Sequence, residues 1–327
     1  MTAINLLQAV NLTLKQEMTR DSRIIVFGED VGYEGGVFRA TVDLQKEFGK
    51  DRCMDSPLSE SAIVGVGIGM AINGMLPVVE MQFMGFSYPA FNQIISHVAR
   101  MRNRSRGRFS VPMVIRMPYG GGIRALEHHS ESTEAIYSHI PGLKVVIPST
   151  PYDAKGLLAA AIRDEDPVIF LEPKRIYRAF KQEVPDEEYI IPIGKANVVR
   201  EGKDITLISW GAMMRETLKA ADLAKDKGIN AEVIDLRTIS PIDRDTIIES
   251  VKKTGRVVIV HEATKTLGVG AELISIINEK AFLYLEAPPV RVTGFDTPFP
   301  LPQGEHHYLP SPERIFNKIM ETVNYLT

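Results

Sequence analysis

The chain has 327 residues, 44% of them hydrophobic and 24% charged, with a formal net charge of -3. That length favours two domains with sizeable cores, and that charge gives no general attraction to nucleic acid or to an anionic membrane. Cys53 is the only cysteine, which excludes an intramolecular disulfide and a thiolate metal cluster and suits a reducing, cytoplasmic compartment.

The opening stretch "MTAINLLQAVNLTLKQEMTRD" is amphipathic and has no basic start followed by an apolar core. It reads as a first helix and not as a signal peptide. No apolar run is long enough to span a bilayer. Strands are predicted at 23–28, 76–83, 112–118, 143–148 and 167–172, with helices near 60–73, 88–103, 131–139 and 151–163. The last of these helices has Thr150 as cap and Pro151 at its first position. Apolar runs without alternation mean strands covered on both faces, hence a parallel sheet.

Residues 173–204 are polar, charged and interrupted by prolines, and read as an extended linker with a small strand or two. A second α/β unit follows. Its strands are predicted at 205–211, 230–239, 256–262 and 289–294, and its helices at 212–228, 243–253, 269–281 and 311–325.

Three segments invite a chemical reading. In "DSPLSESAIVGVGIGMAINGMLPVVEMQF", Gly65, Gly67 and Gly69 do not have dinucleotide-loop spacing, and no Lys-Ser/Thr follows. At helical period Ala62, Gly65, Gly69 and Ile72 share one face, so close helix packing is expected. Each interior glycine costs roughly 1 kcal/mol against alanine, which that packing must offset. Ser59 is the expected cap, and Glu60 falls in the first turn, where the helix dipole favours an acid. In "RMPYGGGIRALEHHSES" a glycine loop follows a parallel strand, where open α/β sheets place ligands. His128 and His129 then become candidates for chemistry, although adjacent histidines suit a metal poorly. "HEATK" lacks the second histidine of a zinc motif. The five arginines in "ARMRNRSRGR" lack interleaved aromatics, so a solvated or contact face is expected.

Several long motifs, in order, resemble the β subunit of the E1 component of 2-oxo acid dehydrogenases. They are "IIVFGEDVGYEGGVFRATVDLQKEFG", "DSPLSESAIVGVGIGMA", "VEMQFMGFSYPAFNQI", "HHSES", "LKVVIPSTPYDAKGLL" and "DPVIFLEPKRIYR". The resemblance implies two parallel-sheet, three-layer α/β domains. Residues 1–185 would be the thiamine-diphosphate pyrimidine-binding domain, 186–204 a linker, and 205–327 a transketolase C-terminal-like domain. The implied activity is oxidative decarboxylation of a 2-oxo acid with acylation of the lipoyl group of E2, active only with an α subunit in an α2β2 heterotetramer. Branched-chain 2-oxo acids are slightly favoured by "EPKRIYR". Pyruvate or acetoin dehydrogenase, or a non-catalytic scaffold subunit, are the alternatives.

The same resemblance assigns residues. Glu60 would hydrogen-bond the aminopyrimidine and carry its proton traffic. Phe86 would stack on that ring, with Leu58 and Gln82 completing the cofactor contacts. His129 would be the active-site histidine. A K+ site is implied near Met113, Asp164 and Asp166, with Asp166 standing where asparagine is expected. The Mg2+ ligands are expected on the α subunit, because no Gly-Asp-Gly…Asn-Asn motif occurs here. The expected partners are therefore E1 α and the lipoyl and peripheral-subunit-binding domains of E2. The glycine face of the helix behind Glu60 would let subunits approach closely.

Overall fold

A computed structural model describes residues 1–325; residues 326 and 327, the end of the expected second domain, lie outside the described residues. The chain divides into two compact units. Met1–Tyr119 and Ile136–Ile193 form the first, while Gly120–Ala135 joins the chain from Gly194 onward in the second.

In the first unit the strands lie in the order Lys144–Val146, Val168–Pro173, Val114–Tyr119, Leu76–Glu80, Ile24–Gly28, Cys53–Asp55. Every neighbouring pair in that series is parallel. Ile24–Gly28, Val114–Tyr119 and Val168–Pro173 are buried at every position, as unalternating apolar runs require. The helix Leu6–Arg20 starts from a capping box between Asn5 and Gln8 and packs on the helix Pro151–Ile162. The Thr150 side chain accepts from Asp153 N at 3.1 Å, with Pro151 in the first turn as expected. Gln182–Val184, in the stretch expected to hold a small strand or two, pairs antiparallel with Thr2–Ile4, which was not foreseen as a strand.

In the second unit the strand order is Val290–Val292, Val257–Val260, Ile205–Ser209, Ala231–Asp235, Asn197–Arg200. All neighbours are parallel except the last pair. The second sheet therefore begins at Asn197, inside the stretch expected to be a linker. Helices Met213–Lys225, Arg244–Thr254, Val269–Ala281 and Pro312–Val323 follow the predicted sequence of elements.

Two local expectations need correction. The helix expected over 88–103 is four short pieces: a 3-10 turn Met84–Ala90 with Pro89 inside it, then Phe91–Gln93, a π turn Ile94–Val98, and Met101–Arg104. Pro89 has no N–H to give, so the turn before it does not continue as one regular helix into Phe91. The glycines of the helix Glu60–Ile72 also divide. A Cβ on Gly67 would meet Met113 at 2.9 Å, whereas one on Gly65 would meet only Gln93 at 4.0 Å and one on Gly69 nothing within 4 Å. Packing inside this chain accounts for Gly67 alone. Ala62, Val66 and Gly69 form an exposed strip.

Candidate active site

Open parallel sheets bind ligands at the carboxyl ends of their strands. In the first unit that edge gathers acids and aromatics. Ile24–Gly28 runs into Glu29 and Asp30, and Leu76–Glu80 runs into Gln82 and then the 3-10 turn carrying Phe86. The helix Glu60–Ile72 packs against that turn. Glu60 is half-buried in its first turn, at the positive end of the helix dipole. Ser59 stands at the cap position, but its hydroxyl makes no capping bond, contrary to expectation.

Phe86 is half-buried, its ring tilted against Phe83 with centroids 5.2 Å apart. Phe83 meets Phe38 edge-on at 5.4 Å, and Phe38 meets Tyr177 at 5.2 Å. Phe86 thus joins an aromatic series in which Phe83 and Tyr177 are buried and Phe38 is half-buried. Gln82 Nε2 donates to Asp30 Oδ2 at 3.2 Å, and Leu58 is 74% exposed just ahead of Glu60.

Sequence reasoning passed over Glu29. Partial burial raises its pKa, and the negative charges of Asp30 and Glu60 push the same way. The available signal was position, one residue beyond a buried parallel strand.

His129 lies in the second unit, on the Gly120–Ala135 loop. The two histidines end a 3-10 turn, Glu127–His129, with His128 exposed and His129 half-buried. His129 N donates to Leu126 O at 3.0 Å. Nearby, Glu134 is fully buried. Desolvation pushes its pKa up to about 8, and the Glu262 charge adds to that, opposed by its own backbone N–H and by a hydrogen bond from the Trp210 indole. A carboxyl in that condition is protonated at neutral pH.

At the positions of the expected K+ site the acidic side chains are ion-paired. Lys144 Nζ lies 2.7 Å from both Asp164 oxygens, and Arg102 Nε donates to Asp166 Oδ1 at 2.6 Å. The Met113 carbonyl accepts from Val168 N at 3.0 Å. Both carboxylates are paired with cations of the chain itself. Among the described residues no cluster of three or more His, Cys, Asp or Glu side chains could hold a metal ion.

The fold defines a class. Residues 2–179 match the transketolase pyrimidine-binding domain, and residues 194–315 match the transketolase C-terminal domain. A solved split-gene transketolase, described as an inactive β4 tetramer, has the same fold, with a TM-score of 0.81 at 22% identity over 98% of this chain and 99% of that one. Within the class, the pyruvate dehydrogenase E1 component subunit beta of Acholeplasma laidlawii is 61% identical over 315 residues, covering 96% of each chain. Its namesake from Bacillus subtilis (strain 168) is 51% identical over 325 residues, 99% of this chain and 100% of that one. The chain belongs to the family of pyruvate dehydrogenase E1 component β subunits.

The lean toward branched-chain substrates is corrected by these relatives, which carry the pyruvate dehydrogenase name. "EPKRIYR" also has structural work that explains its residues. Tyr177 is buried with its hydroxyl donating to Glu172 Oε2 at 2.5 Å, Lys174 Nζ sits 5.8 Å from the Phe83 ring centroid, and Arg178 donates to Phe38 O at 2.7 Å. No helix among the described residues is long and apolar enough to cross a membrane.

Proposed function

We propose that this chain is the β half of a thiamine-diphosphate-dependent E1 that oxidatively decarboxylates pyruvate and acylates the lipoyl group of E2. The observation that carries the reading is the pairing of Glu60 with Phe86 in a chain of this family. One helix start offers a half-buried carboxyl, and the turn packed against that helix offers a half-exposed ring. An aminopyrimidine needs those two things: a carboxyl at a ring nitrogen and a flat apolar face. The donor set fits the pyrimidine end of the cofactor. The diphosphate end and Mg2+ belong to an α partner, since the motif that binds them is missing here. The exposed small-residue strip at Ala62, Val66 and Gly69 favours a second chain lying close along this helix.

When bound, the cofactor supplies the electron sink for decarboxylation. This chain's residues do the rest of the work on their side. Glu60 holds and returns a proton at the pyrimidine ring nitrogen. Phe86 stacks on the ring and fixes its plane, held in turn by Phe83 and Phe38. Leu58 and Gln82 flank the same entrance. His129 supplies a proton to the sulfur that leaves as the lipoyl disulfide opens, a task suited to imidazole near neutral pH.

Titrating thiamine diphosphate with Mg2+ into this chain alone, and then with its α partner, tests the reading by calorimetry. Weak or no binding is expected alone, and saturable binding once the partner is present. Tight Mg2+-dependent binding by the isolated chain would contradict the half-site. The role of His129 has its own test. His129→Asn should spare decarboxylation measured with an artificial electron acceptor and depress acyl transfer to lipoyl-E2 by about 10²-fold. Equal loss in both assays would remove the donor role.

A further inference from the structure

The Gly120–Ala135 loop leaves the end of the strand Val114–Tyr119, belongs to the second unit, and is held there in part through its backbone. Gly121 N–H donates to Glu262 Oε2 at 2.9 Å in buried surroundings. Arg124 N–H donates to Glu305 Oε2 at 3.0 Å. The two acceptors are 141 and 181 residues away in sequence, and both acids are buried. Gly120 N–H donates to Glu131 O at 2.8 Å and closes the neck of the loop.

The three glycines serve this arrangement. Gly120 has φ +84°, and a Cβ there would stand 2.5 Å from Glu262 Oε1. On Gly121 a Cβ would stand 2.2 Å from the Phe299 ring, and Gly122 again has φ +91°. Only glycine lets the main chain lie this close to a carboxyl and a ring while turning left-handed. Burying a carboxyl is costly unless its oxygens are used. Two acids here are used on main-chain amides of one short loop. A clamp on amides fixes the course of the backbone whatever the loop's own side chains do. The candidate active-site side chain of the loop, His129, lies five residues beyond the second clamp. Buried Glu134, with its pKa raised to about 8, keeps its proton at neutral pH, so Glu262 faces a neutral neighbour there.

We propose that Glu262 and Glu305 are positioning residues that set His129 for the reaction by clamping the amides of Gly121 and Arg124. The proposal rests on the reading of His129 as an active-site group.

The test uses the enzyme assembled with its α partner. Variants are Glu262→Gln, Glu262→Ala, Glu305→Ala and His129→Asn, with the double variant Glu262→Ala/His129→Asn. Readouts are hydrogen exchange at the Gly121 and Arg124 amides, and the rate of acyl transfer to lipoyl-E2. Glutamine keeps an acceptor oxygen, so Glu262→Gln should retain most of the rate. Glu262→Ala should speed exchange at Gly121 and lower acyl transfer by about 10²-fold, the scale of a catalytic group misplaced by about 1 Å. Glu305→Ala should do the same at Arg124, and a urea midpoint of each variant checks that the fold is kept. The double variant should be no slower than His129→Asn alone, because both changes act through one group. Unchanged exchange in the alanine variants overturns the clamp. Faster exchange with normal acyl transfer overturns the positioning role, as does equal loss in Glu262→Gln and Glu262→Ala. Full activity in His129→Asn would sink the active-site reading and the proposal with it, and the exchange data would still say separately whether the clamp exists.

Discussion

Changing Glu60 to glutamine is expected to leave a folded chain that assembles with its α partner and turns over about 10²–10⁴-fold more slowly, the loss typical of a missing acid–base group. Glutamine matches glutamate in shape and can still donate or accept a hydrogen bond. What it cannot do is release a proton. The structural cost of the change is small by comparison. Glu60 is the acid in the first turn of its helix, and removing its favourable interaction with the dipole costs about 0.3–1 kcal/mol. Such a loss is small beside the burial of a unit with three strands buried at every position. A fall in turnover with an unchanged unfolding midpoint would therefore report chemistry. Steady-state kinetics of the reconstituted enzyme, beside a urea titration of the same preparation, would separate the two. Turnover within a few-fold of normal would remove Glu60 from the mechanism.

What could be read in advance followed local signals. Buried parallel strands announce themselves as unbroken apolar runs, and Val168–Pro173 and Ile205–Ser209 lie where those runs were. Thr150 and Pro151 mark a helix start by their own chemistry, and so the helix Pro151–Ile162 begins there. Glu60 and Phe86 were legible through motif resemblance, because each lies inside a long quoted segment. Other features depend on distant partners. Nothing local says that Gly120–Ala135 belongs to the second unit, because its tethers come from Glu262 and Glu305. Glu262 was visible only as part of "HEATK", where the question asked was about zinc. Ser59 looked like a cap by type, yet backbone geometry, with φ -163° and ψ 85°, leaves its hydroxyl without the capping bond. The break near Pro89 was signalled by the proline itself and lost to the strength of the flanking helical pattern.

The buried ionic group beneath the site predicts the largest stability effect. Arg116 is fully buried on the strand Val114–Tyr119, between acids on the two neighbouring strands. Its Nε donates to Glu172 Oε1 at 2.7 Å and its second guanidinium arm to Glu172 Oε2 at 3.1 Å, while the third nitrogen donates to Glu80 Oε2 at 2.6 Å. Burial raises the pKa of Glu80, and the Glu172 charge pushes the same way, against the pull of Arg116. One cation thus serves two buried acids, and Tyr177 also bonds to Glu172. Arg116→Met should cost about 3–5 kcal/mol, because it strands carboxyl groups in an apolar interior. The triple variant Arg116→Met/Glu80→Leu/Glu172→Met removes the stranded charges too and should recover much of that loss. Urea midpoints of the three proteins, with m values compared, measure it. A single-variant loss below about 1 kcal/mol would mean that the acids simply take up protons and tolerate burial. The consequence reaches the site. Glu80 ends the strand that leads to Gln82 and Phe86, and Tyr177 backs the aromatic series Phe38, Phe83, Phe86. The triple variant, stable but without this cluster, should therefore bind cofactor more weakly than the parent in the assembled enzyme, which separates the cluster's part in holding Phe86 from its part in holding the fold.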